Sequence, residues 1–153
     1  RTVNLAPLLD FYGYTGPLAV GQATTIPLTR LTAPQPLNVS PHFTLAGNRL
    51  TAIRPVALEY THSVDWTCNI ANNQDASIFI DPVVISGTAT VYWPGVAATF
   101  GHSRGALYPL QASTRQYIIA EEGAVIEFQA SDDLGQAGTT TLDAWACEFK
   151  IIG

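Results

Sequence analysis

The sequence predicts an all-β protein, built as an antiparallel sandwich or barrel. The main signal is the stretch Leu58–Cys68, in which apolar and polar residues alternate. Because side chains along a strand point to opposite faces with a period of two, this alternation predicts a long strand with one buried face. Asp143–Ile152 shows the same pattern, with an apolar residue at every second position from Trp145 to Ile151. No stretch of useful length shows the 3.6-residue periodicity of a helix.

Short β-rich segments follow one another from His42 onward, at a spacing typical of sandwiches and barrels. In chain order they are His42–Leu45, Arg49–Ile53, Leu58–Cys68, Ala76–Ile85, Thr88–Trp93, Arg115–Ala120, Ala124–Ala130 and Asp143–Ile152. Turn signals separate them, for example at 46–48 and 121–123, and Pro82 is expected to interrupt the fourth segment. The glycine-containing stretch 94–109 is expected to be looser. We place Leu58–Cys68 at the centre of the core, beside Asp143–Ile152.

Residues 1–41 are expected to form an extended, Pro-rich N-terminal arm, and residues 42–153 the folded domain. Six of the ten prolines fall in the first 41 residues. Because proline lacks the amide donor and fixes φ, this stretch is not expected to form a continuous central strand or helix. It is nevertheless too rich in Leu and Tyr for a disordered tail. Such an arm would dock on its own domain, on a neighbouring subunit or on a larger assembly.

Charge and composition exclude some classes of partner. Charged residues make up 12% of the chain, about half of the usual share of roughly 25%. Either neighbours cover much of the surface, or the surface is neutral and rich in Thr, Ser and Gln. The net charge of −5 and the scattered arginines argue against nucleic acid, because phosphate contacts need clustered Lys and Arg. No apolar run approaches the roughly 20 residues of a membrane helix, so no membrane partner is expected either.

The order of the segments resembles the jelly-roll heads of the tumour-necrosis-factor and complement globular-head superfamily. The resemblance spans residues 43–152. It rests on F-T-L-A-G-N-R-L-T-A-I-R-P at 43–55, on the strand Leu58–Cys68, and on the ending Y-I-I-A-E-E-G-A-V-I-E-F-Q-A and D-A-W-A-C-E-F-K-I-I-G. It implies a jelly-roll sandwich that assembles as a trimer, and similar heads occur as knobs and capsid decorations on bacteriophages and other viruses. The sequence departs from such heads in lacking a collagen-like or coiled-coil stalk, and its arm has no counterpart in them.

Apolar residues on both faces of several strands also favour an oligomer. Tyr117 and Ile119 lie on the face opposite to Ile118, and the last strand carries Ala144 and Ala146 opposite its aromatic face. A second apolar face on an antiparallel sheet needs cover. A subunit interface would supply that cover, and the N-terminal arm is the alternative.

Patterns for catalysis or metal binding are weak. His62 lies on the apolar face of its strand and is expected to be a hydrogen-bonded core residue. His42 and His102 form no H-x-H pair, so a cupin-like metal site is not expected. Gly101–Gly105 reads G-H-S-R-G and matches the letters of a hydrolase nucleophile elbow, but that elbow needs a following helix, which Pro109 opposes. We therefore predict neither an enzyme nor a cofactor.

The two cysteines, Cys68 and Cys147, both occupy apolar positions of the two long strands. If those strands are neighbours, the pair could reach the Cα separation of roughly 4.4–6.8 Å that a disulfide needs. The alternative is two buried free thiols, since cysteine is among the most buried residue types. The strand register decides between them.

Two functions fit these observations. The first is a non-enzymatic virion surface protein, either a capsid decoration or a fibre-like knob, which is homotrimeric and attached to other virion proteins through residues 1–41. The second is a receptor- or glycan-binding head of a phage fibre or of an extracellular, lectin-like protein. Aromatic faces beside Asn and Asp side chains suit sugars, although the same residues also serve turns and interfaces. The predicted ligand residues are Asn72, Asn73, Asp75, Trp93 and Tyr108.

Overall fold

The computed structural model describes residues 9–31, 42–69, 74–92, 98–103, 108–132 and 139–153. These ranges contain twelve β-strands, and none of their residues forms a helix that could cross a membrane. The strands are β1 (Leu9–Val20), β2 (Thr24–Thr25), β3 (Thr29–Leu31), β4 (Phe43–Ala46), β5 (Arg49–Ala52), β6 (Val56–Asn69), β7 (Gln74–Ser86), β8 (Ala89–Tyr92), β9 (Ala98–Ser103), β10 (Tyr108–Ala120), β11 (Val125–Asp132) and β12 (Thr139–Ile151).

The strands form two antiparallel sheets that pack face to face, which confirms the predicted β-sandwich. Sheet A has the order β3-β1-β12-β6-β10-β8, and sheet B has the order β4-β5-β11-β7-β9, with β2 paired to β11. All of the described strand pairs are antiparallel. The three central neighbour pairs of sheet A, β1–β12, β12–β6 and β6–β10, join segments that are far apart in sequence, as happens when a chain crosses repeatedly between two sheets.

The centre of sheet A is the pair β6 and β12, as the alternating patterns predict. Their register sets Val64 opposite Trp145 and His62 opposite Cys147. The apolar positions of β6, among them Leu58, Tyr60, His62, Val64 and Trp66, are buried. The period-two reading of this strand therefore identified its core face correctly.

Aromatic rings fill the space between the two sheets. Phe128 of sheet B lies with its ring centroid 4.8 Å from that of Trp145 and 5.4 Å from that of Tyr60, both in sheet A. Phe43 of sheet B meets Phe149 of sheet A at 5.4 Å. Tilted and edge-on contacts of this kind add roughly 0.5–1.5 kcal/mol per pair beyond the burial of apolar area. The core is therefore shared by both sheets.

Residues 9–31 pair with the rest of the sandwich, so a strand forms between two others where the prolines were expected to prevent one. β1 pairs with β12 from Leu9 to Val20, and its register shifts between Thr15 and Leu18, on either side of Pro17. β3 pairs with β1 only as far as Gly13, so after Gly13 the described strands give β1 one neighbour, β12. The missing amide of Pro17 therefore removes little hydrogen bonding from the sheet. Residues 1–8 and 32–41 lie outside the described ranges.

Two other prolines lie within strands, and one of them, Pro82, was expected to interrupt its strand. Pro82 pairs with Phe128 within β7, and Pro109 pairs with Thr67 within β10. At each of these positions the described strands give the proline one partner only, because β9 and β8 pair elsewhere along β7 and β10. Proline is tolerated where a strand has a free side. The stretch 94–109 accordingly contains β9 and the start of β10, where a looser chain was expected.

Candidate interaction surface

Little of the predicted ligand set falls within the described side chains. Asn72, Asn73 and Trp93 lie outside the described residues, and only the backbones of Asp75 and Tyr108 are described. In register, Asp75 lies opposite His102 on β9, and Tyr108 lies opposite Cys68 on β6. Tyr92, which precedes Trp93, lies opposite Tyr117, nine residues along β10 from Tyr108. The ligand set therefore stays a prediction.

The register is incompatible with the predicted Cys68–Cys147 disulfide. Cys68 lies opposite Thr140, whereas Cys147 lies opposite His62, six residues earlier on β6. At about 3.4 Å per residue this separates the cysteines by roughly 20 Å, which is far beyond disulfide range. Cys147 is a buried free thiol, and burial raises its pKa well above the ordinary value. Alternation placed both cysteines on the core face but carried no information about their register.

The predicted core role of His62 is confirmed. The side chain is buried, and Trp145 Nε1 donates a hydrogen bond to His62 Nδ1 over 3.0 Å. The Tyr60 hydroxyl hydrogen-bonds to the same nitrogen. Burial lowers the pKa of His62 to about 4. The residue is therefore a neutral hydrogen-bond acceptor at physiological pH.

A network of polar groups joins β1, β3 and the start of β4. Asp10 is buried and accepts a hydrogen bond from Arg30 Nη2 at 2.7 Å. Its second oxygen accepts from the backbone amide of His42 at 3.3 Å. The Arg30 guanidinium also lies over the ring of Tyr12, 5.5 Å from its centroid. This network is structural, since it holds neighbouring strands together and opens onto no described pocket.

The described residues do not assemble a metal centre or a nucleophile elbow. They contain no group of three or more His, Cys, Asp or Glu side chains that could hold a metal ion. Ser103 ends β9, and the next described element is the strand β10, which begins at Tyr108. An elbow requires a helix after the nucleophile, and the described residues around Ser103 form strands alone.

The most distinctive surface is an apolar patch on the solvent face of sheet A, formed by Ala57, Tyr92, Tyr117, Ile119 and Ile152. Tyr92, Ile119 and Ile152 are 44%, 48% and 56% exposed. The five side chains line a shallow pocket of about 330 Å³ together with Leu58 and Ile118. Scattered exposed apolar residues are normal, whereas a contiguous apolar group is a candidate for an interaction site.

The topology brings the patch together from four separate segments. Ile119 of β10 lies opposite Ala57 of β6, and Tyr117 lies opposite Tyr92 of β8. Ile152 is fixed beside them because its amide donates to the Ala57 carbonyl at 2.9 Å. Alternation set Tyr117 and Ile119 on the face opposite to Ile118, and the structure shows that theirs is the outward face. Tyr92 and Ile152 were missed, because their proximity depends on the strand order.

A small-residue groove lies on the same face of sheet A, towards the other end of β6 and β12. Gly13, Ser63, Ala144 and Ala146 line it, and the exposed side chain of Leu31 forms one wall. Gly13 is needed for this arrangement, since a Cβ there would approach Leu31 Cδ1 to 3.0 Å and the Trp145 carbonyl oxygen to 3.2 Å. The last strand therefore has small side chains on its second face, as Ala144 and Ala146 predict.

No family model and no curated protein sequence matches the chain. Among solved structures, it is similar to the crystal structure of murine APRIL at pH 5.0, with a TM-score of 0.50, 8% identity, and coverage of 93% of this chain and 98% of that one. It is also similar to Eiger TNF from S. frugiperda, with a TM-score of 0.52, 8% identity, and coverage of 95% and 92%. The fold is a TNF-like jelly roll.

At this level of identity the similarity concerns the fold alone. It confirms the predicted jelly-roll sandwich and the resemblance to tumour-necrosis-factor heads. The virion setting, the trimer and the glycan ligand gain no direct support from it and stay predictions.

Proposed function

We propose that the chain is a non-enzymatic, homotrimeric head domain of a virion surface protein, and that the apolar patch is buried between its subunits. The observation that carries the proposal is the patch itself. Its five apolar side chains lie side by side on the solvent face of sheet A, which the fold leaves uncovered within the described residues. An antiparallel sheet with apolar residues on both faces needs a partner on the second face.

The size of the patch indicates that more of sheet A takes part. Tyr92, Ile119 and Ile152 are each about half exposed and together offer roughly 300 Å² of side-chain surface. A stable protein interface buries about 800 Å² on each partner. The small-residue groove lies on the same face and adds both Leu31 and a floor that a neighbouring subunit can approach closely. The low charged fraction of the whole chain, 12%, fits an extensive covered surface.

The direction of the chain fits a head that is attached to the particle at one end of the sandwich and free at the other. β1 begins with Leu9 opposite Lys150, at the end of sheet A where Ile152 and the apolar patch lie. The connections 70–73 and 104–107 start and finish at the opposite end, where Gln74 pairs with Ser103 and Tyr108 pairs with Cys68. The proposal therefore puts attachment to the particle at the Leu9 end and exposes the opposite connections.

The receptor- or glycan-binding head is the second candidate. It is favoured by the end of the sandwich opposite to Leu9. Asn69 and Gln74, which flank Asn72 and Asn73 in the sequence, lie at the same end of the sandwich as Ser103 and Tyr108. Imaging the native particle and screening purified protein on a glycan array separate the two candidates. A head fixed to the particle without sugar binding supports the structural role, whereas binding of a defined glycan by a head held away from the particle surface supports the second.

Light scattering on the purified chain tests the assembly. We expect three times the subunit mass of 16.4 kDa. Ile119→Glu places a charge in the patch and should yield folded monomers. Thr44→Glu is the matched control, because Thr44 is also an exposed strand residue but lies in sheet B, and this variant should stay trimeric. A monomeric wild-type chain, or an Ile119→Glu variant that remains trimeric, contradicts the proposal.

A further inference from the structure

The Nδ1 nitrogen of His62 is held between two hydrogen-bond donors in the core of sheet A. Trp145 Nε1 lies 3.0 Å away and the Tyr60 hydroxyl bonds to the same atom. Both rings stand nearly edge-on to the imidazole, with centroid separations of 6.1 Å for Trp145 and 5.0 Å for Tyr60. An indole N–H can only donate, so Nδ1 must accept and the neutral ring carries its proton on Nε2.

We propose that His62 and Trp145 form an acid-sensitive lock between β6 and β12, the central strands of sheet A. Proton uptake at Nδ1 sets an imidazolium N–H against the indole N–H of Trp145. The Tyr60 hydroxyl can turn and accept the new proton, because a phenol both donates and accepts. Trp145 has no such alternative, so acidification breaks its hydrogen bond and drives its indole out of the core.

The described groups around His62 do not compensate for a positive charge on its ring. Cys147 lies opposite His62 on β12 and Thr114 lies opposite it on β10. Phe128 of β11 covers Trp145 and Tyr60 from sheet B. The nearby carboxylates affect the pKa values of other groups. Asp81 of β7 raises the pKa of Tyr60, and Asp10 of β1 raises the pKa of Cys147. Burial lowers the pKa of His62, and among the described residues no carboxylate raises it.

The sign of the pH effect follows from the pKa of His62 in the two states. It is about 4 in the folded chain and 6.5 in an unperturbed histidine. The unfolded chain therefore takes up the proton first as the pH falls, and the fold loses stability between about pH 6.5 and pH 4. From pH 7 to pH 5, this single group raises the unfolding equilibrium constant about 20-fold.

Glutamine at position 62 provides the matched control. In His62→Gln the amide oxygen can still accept from Trp145 and Tyr60, but it does not titrate. Denaturant unfolding of both proteins at pH 7 and pH 5 should show the additional 20-fold rise in the wild-type chain alone. The Asp10 and Glu127 ion pairs are common to both proteins and cancel in this comparison. An equal change in the two proteins overturns the proposal.

Titration of His62 by NMR tests the lock without relying on a variant that folds. A folded-state pKa near 6.5 in the wild-type chain overturns the proposal, and a pKa near 4 supports it. Trp145→Phe then tests the role assigned to the indole. Removing the donor should move the pKa of His62 upward, towards 6.5. An unchanged pKa in folded Trp145→Phe shows that burial alone sets the titration and overturns the lock.

Discussion

Deletion of residues 1–41 distinguishes a structural N-terminal segment from a detachable arm. Tyr12 and Ile26 are fully buried, and Val20 and Leu28 are 7% and 8% exposed. Burial of each such side chain contributes about 1.5–3 kcal/mol, so the four contribute roughly 6–12 kcal/mol. The whole stability of a domain this size is about 5–15 kcal/mol. The deletion also removes the partner of β12 over Leu9–Val20. We therefore expect residues 42–153 alone to be unfolded.

Circular dichroism and denaturant unfolding provide the assay. The full chain should show a cooperative transition, and the 42–153 fragment should show none. Tyr12→Ala gives a graded version and should cost about 3–5 kcal/mol, as for other large aromatic residues in a core. Thr29→Ala is the control within the same segment, because Thr29 is exposed and surface substitutions change stability by about 0.5 kcal/mol or less. A 42–153 fragment that unfolds at the same denaturant midpoint as the full chain refutes the reasoning and supports a detachable arm.

Two further predictions concern single buried groups. Cys147 should react with a thiol reagent only as the protein unfolds, because its thiol is buried and its pKa is raised. Mass spectrometry of labelled protein checks this, and a disulfide found at Cys147 would contradict the strand register. Burial raises the pKa of Glu127, but hydrogen bonds from Gln129, Arg49 and Thr25 outweigh it, so that pKa lies below 4.5. The carboxylate therefore stabilises the fold above pH 4.5, and this contribution is lost as the pH falls through the folded pKa. Glu127→Gln should cost about 1 kcal/mol or less at pH 7, because Arg49 is half exposed, and this cost should shrink as the pH falls through the folded pKa of Glu127, as measured by denaturant unfolding.

Alternation along the chain was sufficient to predict which residues of the central strands are buried. Leu58, Tyr60 and Trp66 face the core, and Tyr117 and Ile119 face outward, as their positions indicate. The reason is physical, since the pleat of a strand fixes the face of each side chain whatever its neighbours are. The class of fold and the central pair of strands follow from this local rule.

Register and strand order are not local, and the errors lie there. Alternation placed Cys68 and Cys147 on the core face of their strands, but their backbones lie six positions apart in register. The exclusion of residues 1–41 from the sheet rested on proline chemistry that applies to strands with two neighbours. Pro17 lies where β1 has one described neighbour, so that rule did not apply to it. Predicting the apolar patch would have required both the register and the strand order, because backbone pairing is what brings Tyr92 and Ile152 close to Ile119.

The proposed interface and the proposed lock lie on opposite faces of the same strands. Ala57 of the patch and His62 of the lock both belong to β6, and Ile152 follows directly after β12, which carries Trp145. Because of strand alternation the patch faces solvent and the lock faces the core. A substitution in one of them therefore makes no direct contact with the other. Ile119→Glu should remove assembly and leave the His62 titration in place. His62→Gln should remove the titration and leave the patch intact. A wild-type chain that dissociates on acidification, while His62→Gln does not, would mean that the two faces of β6 are coupled through the strand.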